Sequence, residues 1–378
     1  MAADPAAVGS AGARPRRDVS AARPELRALT SVRGIAAWMV VLYHIRLSLD
    51  WVPAGGIALL AKGYLAVDFF FLLSGFVIWM TWHERLRAVG WRAVPGFLQK
   101  RVARIWPLHL VMLGFAVALA LLLAATGRHD PREFPFAELP LHLLLMQNWG
   151  FTDALAWNDP AWSISAELGA YLLFPLLAFA IDWRRVPSWA VVAVIGALIL
   201  LLAGVFAAAG HATLGKEIER LGLIRCVIEF AAGTAVGSLW LRWRATPLRP
   251  AVLAAVLAAL LLMSPLPETL ATTSAFAAAL LALALTSGMR GNPLDVAPLH
   301  YLGEVSYATY LSHFLLWFAF KLAFVSDARS VPPALALLYL VLVLAASIAL
   351  YHLVERPAQR WVNGLRLRPA PTRRSAPR

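Results

Sequence analysis

Cysteine occurs once in this chain of 378 residues, at Cys226, which excludes an internal disulfide and leaves no thiol pair for a metal. Charge is also scarce. Only 15% of the residues are Asp, Glu, Lys or Arg, against about a quarter in a soluble globular protein, and 60% are hydrophobic, so the chain reads as membrane-embedded. Acidic residues are outnumbered by basic ones, 21 to 34. No folded basic domain with interleaved aromatics accompanies that excess, which excludes a nucleic-acid partner. Residues 1–27 lack an apolar core followed by a small-residue cleavage site, so they read as a disordered basic cytoplasmic arm and not as a signal peptide. No internal repeat is visible, and the basic tail over 358–378 is too short to fold. The expectation is therefore one membrane domain over 28–357.

What the chain has in abundance is long apolar runs. Segments near 28–49, 57–82, 104–126, 161–182, 188–209, 221–241, 249–264, 269–287, 303–325 and 333–355 predict an all-α polytopic membrane protein with about ten transmembrane helices. Leu139 to Trp149 is too short to cross and reads as a re-entrant or interfacial helix. The basic residues cluster in the 85–104 loop, at Arg184–Arg185, at Arg242 and Arg244, and in the tail. By the positive-inside rule both termini are then cytoplasmic.

Ionisable side chains within membrane spans are costly and therefore mark candidate functional sites. Arg33 and His44 lie eleven residues apart in the first run, on one helix face and about 16 Å apart along the axis. Asp68, in AVDFFFLLSGF, needs a buried partner, and His44 on the neighbouring helix is the natural one. Ser74–Gly75 reads as a small-residue helix contact. Arg101 and Arg104, with Lys100 beside them, share a face at a cytoplasmic helix start. They suit either a membrane anchor or bidentate phosphate binding, and Arg33 ends on the same side. In DPAWSISAELGAY, the residues Trp162, Ser163, Ser165, Glu167 and Tyr171 crowd the outer edge of a span. In GEVSYATYLSHFLL, Ser306, Tyr310 and His313 form one stripe. Arg225 and Glu229, at i and i+4, are expected to neutralise each other.

Taken together, these stretches resemble the integral-membrane acyltransferase-3 family, O-acyltransferases of surface polysaccharides and related acceptors. The resemblance runs from Leu26 to Pro357. It is carried by Arg33 with His44, DFFFLLSGF from Asp68, Arg101 with Arg104 before Ile-Trp-Pro, WSISAE from Trp162, GEVSYATYLSH from Gly303, and VERP with Glu355. The resemblance implies acetyl-CoA or another acyl-CoA as cytoplasmic donor, no metal, and a carbohydrate or glycolipid acceptor with its hydroxyl on the far side of a bacterial inner membrane. By the same resemblance His44 is the catalytic histidine, aided by Asp68, Ser163 and Glu167. Arg33, Arg101 and Arg104 bind the coenzyme, and Trp162, Ser165, Tyr307, Tyr310 and His313 face the acceptor. Some relatives carry an additional extracytoplasmic domain, so the chain is expected to act alone or to hand its acyl group to a separate extracytoplasmic partner.

The chemistry fits a histidine, because a thioester is already activated and the enzyme must chiefly take a hydroxyl proton and align the reactants. Direct transfer and an acyl-histidine intermediate both satisfy the pattern. The competing reading is a secondary transporter for an anionic metabolite, with His44, Asp68, Glu167 and His313 as a proton relay.

Overall fold

The structure, a computed structural model, describes residues 26–128 and 130–365; residues 1–25 of the expected arm and 366–378 of the expected tail lie outside them. Fourteen α-helices follow in order among the described residues, with no strand. They are α1 (Arg27–Ile45), α2 (Ala54–Leu60), α3 (Ala66–Val89), α4 (Val94–Ala125), α5 (Leu139–Leu143), α6 (Ala161–Ala180) and α7 (Ser188–Ala208), then α8 (Ile218–Trp243), α9 (Leu248–Leu262), α10 (Glu268–Thr286), α11 (Ala297–Glu304), α12 (Ser306–Phe324), α13 (Pro333–Leu350) and α14 (Arg356–Gly364).

Among the described residues, seven stretches are long and apolar enough to cross a membrane, not the ten expected. The difference has three physical sources. Residues 54–125 form one unbroken apolar stretch that holds both α3 and α4. Helix α9, with 15 residues, reaches only about 22 Å against a hydrocarbon core of about 30 Å. Helix α12 is diluted by Ser306, Thr309, Ser312, His313 and Lys321.

Around an apolar core, large apolar side chains also cover the outside while several ionisable groups lie within. Leu121, Leu122, Leu172, Leu173, Leu200, Leu201, Leu253 and Leu257 are exposed, while Asp68, Arg225, Glu229, Ser312 and His313 are buried. That is the pattern of a chain whose outer solvent is hydrocarbon, where helices associate through small residues and polar contacts.

Two glycine crossings show the packing. A Cβ on Gly75 would lie 1.9 Å from the Phe230 carbonyl oxygen, and one on Gly233 would lie 2.0 Å from that of Leu72, so α3 and α8 touch backbone to backbone. Gly303 makes the same approach to Thr30, at 1.8 Å, and brings α11 against α1. The contact expected at Gly75 is thus present, with α8 as its partner.

The α3–α8 crossing also accounts for Asp68, whose expected partner was His44. Asp68 instead accepts two hydrogen bonds from Arg225, at 2.6 Å from Nε and 2.6 Å from Nη2. Arg225 further donates to the Leu214 carbonyl at 2.8 Å, and Trp162 covers its guanidinium at 5.6 Å. The expected Arg225–Glu229 neutralisation is replaced by this interhelical fork, because a guanidinium matches a carboxylate edge across a crossing better than one a turn away on its own helix. Glu229 takes a bond from Thr273 Oγ1 at 3.2 Å.

Removing one member of a buried pair strands the other, at a cost of about 3–5 kcal/mol. Asp68→Ala should therefore unfold at markedly lower temperature in detergent, and the apolar double replacement Asp68→Leu with Arg225→Met should recover most of the loss. An Asp68→Ala protein as heat-stable as the parent would show that the fork does not hold α3 to α8.

Candidate active site

Helices α1, α3, α4, α6 and α12 enclose a cavity of about 170 Å³ that gathers most of the residues singled out from the sequence. Arg33, Arg101 and Arg104 line it together with Phe70, Ser74, Ser163, Glu167, Tyr171 and Tyr310. A larger cleft of about 950 Å³ lies between α7, α8, α9 and α10, but its walls are apolar apart from Arg249 and a few hydroxyls, and none of the chemistry-bearing residues reaches it.

The three arginines are not equivalent. Arg33 donates to the Gly303 carbonyl from Nη2 at 2.6 Å and to Ser306 Oγ from Nε at 3.0 Å, which ties α1 to the start of α12. Arg104 is paired with Glu355 and lies 5.3 Å from the Tyr307 ring centre. Glu355 closes the five-residue π-helical turn between α13 and α14, a local widening that carries its carboxylate to α4. Arg101 has no carboxylate partner among the described residues. Its guanidinium stands 6.0 Å from the Tyr171 ring centre, and its Nε is buried without an acceptor. The three arginines expected to bind the coenzyme therefore meet in one cavity but differ in their partners: Arg33 and Arg104 are each held by the protein, and Arg101 has a buried Nε without an acceptor.

Further in, Ser74 donates to Glu167. Ser163 Oγ and the Tyr310 hydroxyl are 2.7 Å apart, and both lie within reach of the Pro160 carbonyl, at 3.0 and 3.1 Å. Tyr307, also in the cavity lining, donates to the Ile105 carbonyl at 2.5 Å, so its hydroxyl joins α12 to α4.

Two residues expected to face a sugar do something else. Ser165 donates to the Leu145 carbonyl at 2.8 Å and accepts from the Asn148 amide at 3.1 Å, pinning the segment after α5 to α6. Trp162 lies against Phe71, Gly222 and Arg225, so its ring faces are used inside the protein. The Ser165 bonds come from the segment after α5, whereas the Trp162 contacts come from α3 and α8. Leu145 and Trp157 take positive φ there, at 56° and 62°, and Asn158 Nδ2 fastens the loop to the Leu311 carbonyl at 2.9 Å.

His44 sits in the last turn of α1, outside the cavity lining. Its Nδ1 lies 2.9 Å from the Val40 carbonyl oxygen and 3.1 Å from His313 Nε2, and its ring meets Phe314 edge-on at 5.4 Å. Among the described residues, no hydrogen bond reaches its Nε2. His313, expected to face the acceptor, is fully buried beside it, 6.2 Å from the ring of Tyr310, which lines the cavity. Glu355, Ser74 and the His313–His44 contact are the parts of the site that sequence reading missed. Glu355 was visible in VERP as part of a motif, without any sign of its partner.

An acyltransferase domain family matches residues 26–352, and the chain belongs to this acyltransferase-3 family. It is 32% identical over 379 residues, 92% of this chain and 94% of the relative, to the acyltransferase MdmB of Streptomyces mycarofaciens. It is 28% identical over 311 residues, 79% of this chain and 90% of the relative, to the exopolysaccharide production protein ExoZ of Rhizobium meliloti strain 1021. No solved structure matches the chain. The family and the apolar helices together define an integral membrane acyltransferase.

The loop before α6 also holds a titratable group. Burial pushes Asp159 up to about 6, with Glu133 adding repulsion, although the positive end of α6 lies two residues away. A carboxyl raised in the folded state keeps its proton while the unfolded chain loses it, so stability falls as pH climbs from about 4 to about 6 and then levels off. Asp159→Asn removes that loss. Its melting temperature should exceed the parent's at pH 7 and match it near pH 4, and parallel melting curves across this range would show that Asp159 is not held protonated.

Proposed function

We propose that the chain transfers an acyl group from a cytoplasmic acyl-CoA to a hydroxyl of a carbohydrate-type acceptor on the extracytoplasmic side of a bacterial inner membrane. The observation that carries this reading is α1 itself. It brings Arg33 to the cavity and His44, with an unpartnered Nε2, to the opposite end of the same helix, about 16 Å away. That separation suits a donor whose phosphates stay at one surface while a slender arm carries the thioester inward. In this reading α3 and α4 cross separately and α9 and α12 also cross, which gives ten spans with both termini cytoplasmic.

Arg101 offers its free donors to the phosphates, and Arg33 and Arg104 set the field at the mouth. His44 Nε2 takes the proton of the acceptor hydroxyl as its oxygen adds to the thioester carbonyl. The tetrahedral oxyanion then collapses, the C–S bond breaks, and the thiolate leaves with the proton from the imidazolium. Acyl transfer straight to the acceptor needs no covalent enzyme intermediate. The kinship with an acyltransferase and with an exopolysaccharide production protein supports the acceptor class. The transporter reading loses its relay, because Asp68 is spent on Arg225 and does not adjoin His44.

His44→Ala should lower turnover by about 10²–10⁴, the usual worth of a general base, and leave acyl-CoA binding within a few-fold. Near-normal turnover in that variant would remove the mechanism. Arg101→Ala should weaken CoA binding by about tenfold or more, the value of a charge-assisted hydrogen bond, with Arg101→Lys recovering part of it. Unchanged CoA affinity by calorimetry would return Arg101 to a membrane-anchoring role. In sealed, oriented vesicles, acyl-CoA on the cytoplasmic side should label acceptor enclosed on the other side while free CoA stays where it began. Movement of an intact solute with the thioester unbroken would overturn the assignment.

A further inference from the structure

The contact between His44 and His313 has a defined hydrogen-bond polarity, because both ends of the chain of contacts are backbone carbonyls, which only accept. His313 Nδ1 lies 3.1 Å from the Thr309 carbonyl oxygen, so that nitrogen carries the hydrogen and Nε2 of the neutral ring presents its lone pair. That lone pair points at His44 Nδ1, 3.1 Å away, and the same Nδ1 faces the Val40 carbonyl oxygen at 2.9 Å. Two acceptors converge on one nitrogen, which must therefore be the protonated one. The only assignment that satisfies every contact is Nδ1–H on both rings, with the hydrogens running from His44 to His313 to Thr309. His44 Nε2 is then left bare.

We propose that His313 is a positioning residue which, with the Val40 carbonyl, holds His44 in its Nδ1–H tautomer and thereby keeps the Nε2 lone pair free to receive the acceptor's proton. The proposal rests on the acyl-transfer reading above. His313 is suited to the task by its surroundings. It is fully buried, so water does not compete for its Nε2, and Tyr339 donates to its backbone carbonyl at 2.9 Å, which fixes its place on α12 from the side of α13. The Val40 carbonyl already serves the α1 backbone ladder, whereas His313 Nε2 has no other donor. The interaction strengthens during reaction. When His44 Nε2 has taken the hydroxyl proton, its Nδ1–H becomes the hydrogen of a cation, and a charge-assisted bond to a buried acceptor is worth more than the neutral one it replaces. The Nδ1 hydrogen stays on His44 throughout, so no proton is lost to His313 and the abstracted one remains available to the leaving thiolate. A neutral imidazole here does the orienting work for which the sequence nominated the carboxylate of Asp68.

The test begins on the unaltered protein. ¹⁵N spectra of histidine-labelled enzyme in detergent, with His44 assigned by its loss in His44→Gln, should show a protonated Nδ1 and a bare Nε2; an Nε2–H signal would overturn the proposal without any variant at His313. His313→Phe preserves an aromatic ring but removes the acceptor. It should populate the Nε2–H form of His44 and lower kcat by about 10- to 100-fold, with the acyl-CoA KM changed less than about threefold. His313→Gln, whose amide oxygen can accept from Nδ1–H, should recover much of the turnover and the parent tautomer. A His44 spectrum unmoved by His313→Phe, or equal losses in the Phe and Gln variants, would reduce His313 to packing. If His44→Ala retains turnover, the base assignment falls whatever the tautomer; if that variant is dead but the tautomer signature is absent, only the role of His313 falls.

Discussion

A charge buried in hydrocarbon must find its partner within the protein, and this constraint shapes the molecule more than any single apolar contact. The fork between Asp68 and Arg225 is its plainest expression. It sits where Gly75 and Gly233 let α3 and α8 meet backbone to backbone, so the two helices are bound by close packing and by a paired charge at once. Trp162 covers the guanidinium from α6, and that contact brings the start of α6, with Ser163 and Glu167, to the wall of the cavity. Arg33 on α1 and Arg104 on α4 obey the same rule, one spent on the Gly303 carbonyl and Ser306, the other on Glu355.

How much of this was legible in the sequence depends on the distance over which each interaction acts. The helices were, because a run of apolar residues declares its own length, and so were the residues that converge on the cavity, because Arg, Glu and Ser within spans are rare enough to stand out. Partners were not. Residue spacing reports only neighbours on the same helix, which is why Arg225 was assigned to Glu229 when its partner lies 157 positions earlier. The partners of Ser165 and Trp162 were hidden for a related reason: nothing in WSISAE announces the Leu145 carbonyl that Ser165 finds or the Arg225 guanidinium that Trp162 covers. The span count differs because α3 and α4 share one unbroken apolar stretch, α9 is short and α12 is polar.

The cavity is best understood as a division of labour among its cations. Arginines that are already bonded cost a ligand little to approach, since their side chains are held in place before it arrives and no rotamer freedom is lost on binding. They contribute field and shape. Arg101 differs because its buried Nε lacks an acceptor, and an unspent donor in a partly dry site gains most from an anion that supplies one. The same logic applies at the other end of α1, where the bonded nitrogen of His44 fixes the ring and the unbonded one is left to react.

In the proposed reaction one helix joins the anion end to the proton end, and its geometry gives a reason for both roles to sit on α1. A rigid helix holds the two ends at a constant separation, while the crossing at Gly303 and the hydrogen bonds of Arg33 anchor one end and the histidine contact anchors the other. Tyr310 and Phe70, both in the cavity lining, meet edge to face with ring centres 5.8 Å apart, whereas His44 is not part of that lining. The cavity therefore stops short of His44. In the proposed reaction, a thioester carried in past the arginines would have to displace or pass these two rings before it reached the imidazole, which would keep the His44 nitrogen away from water until an arm of sufficient length filled the passage.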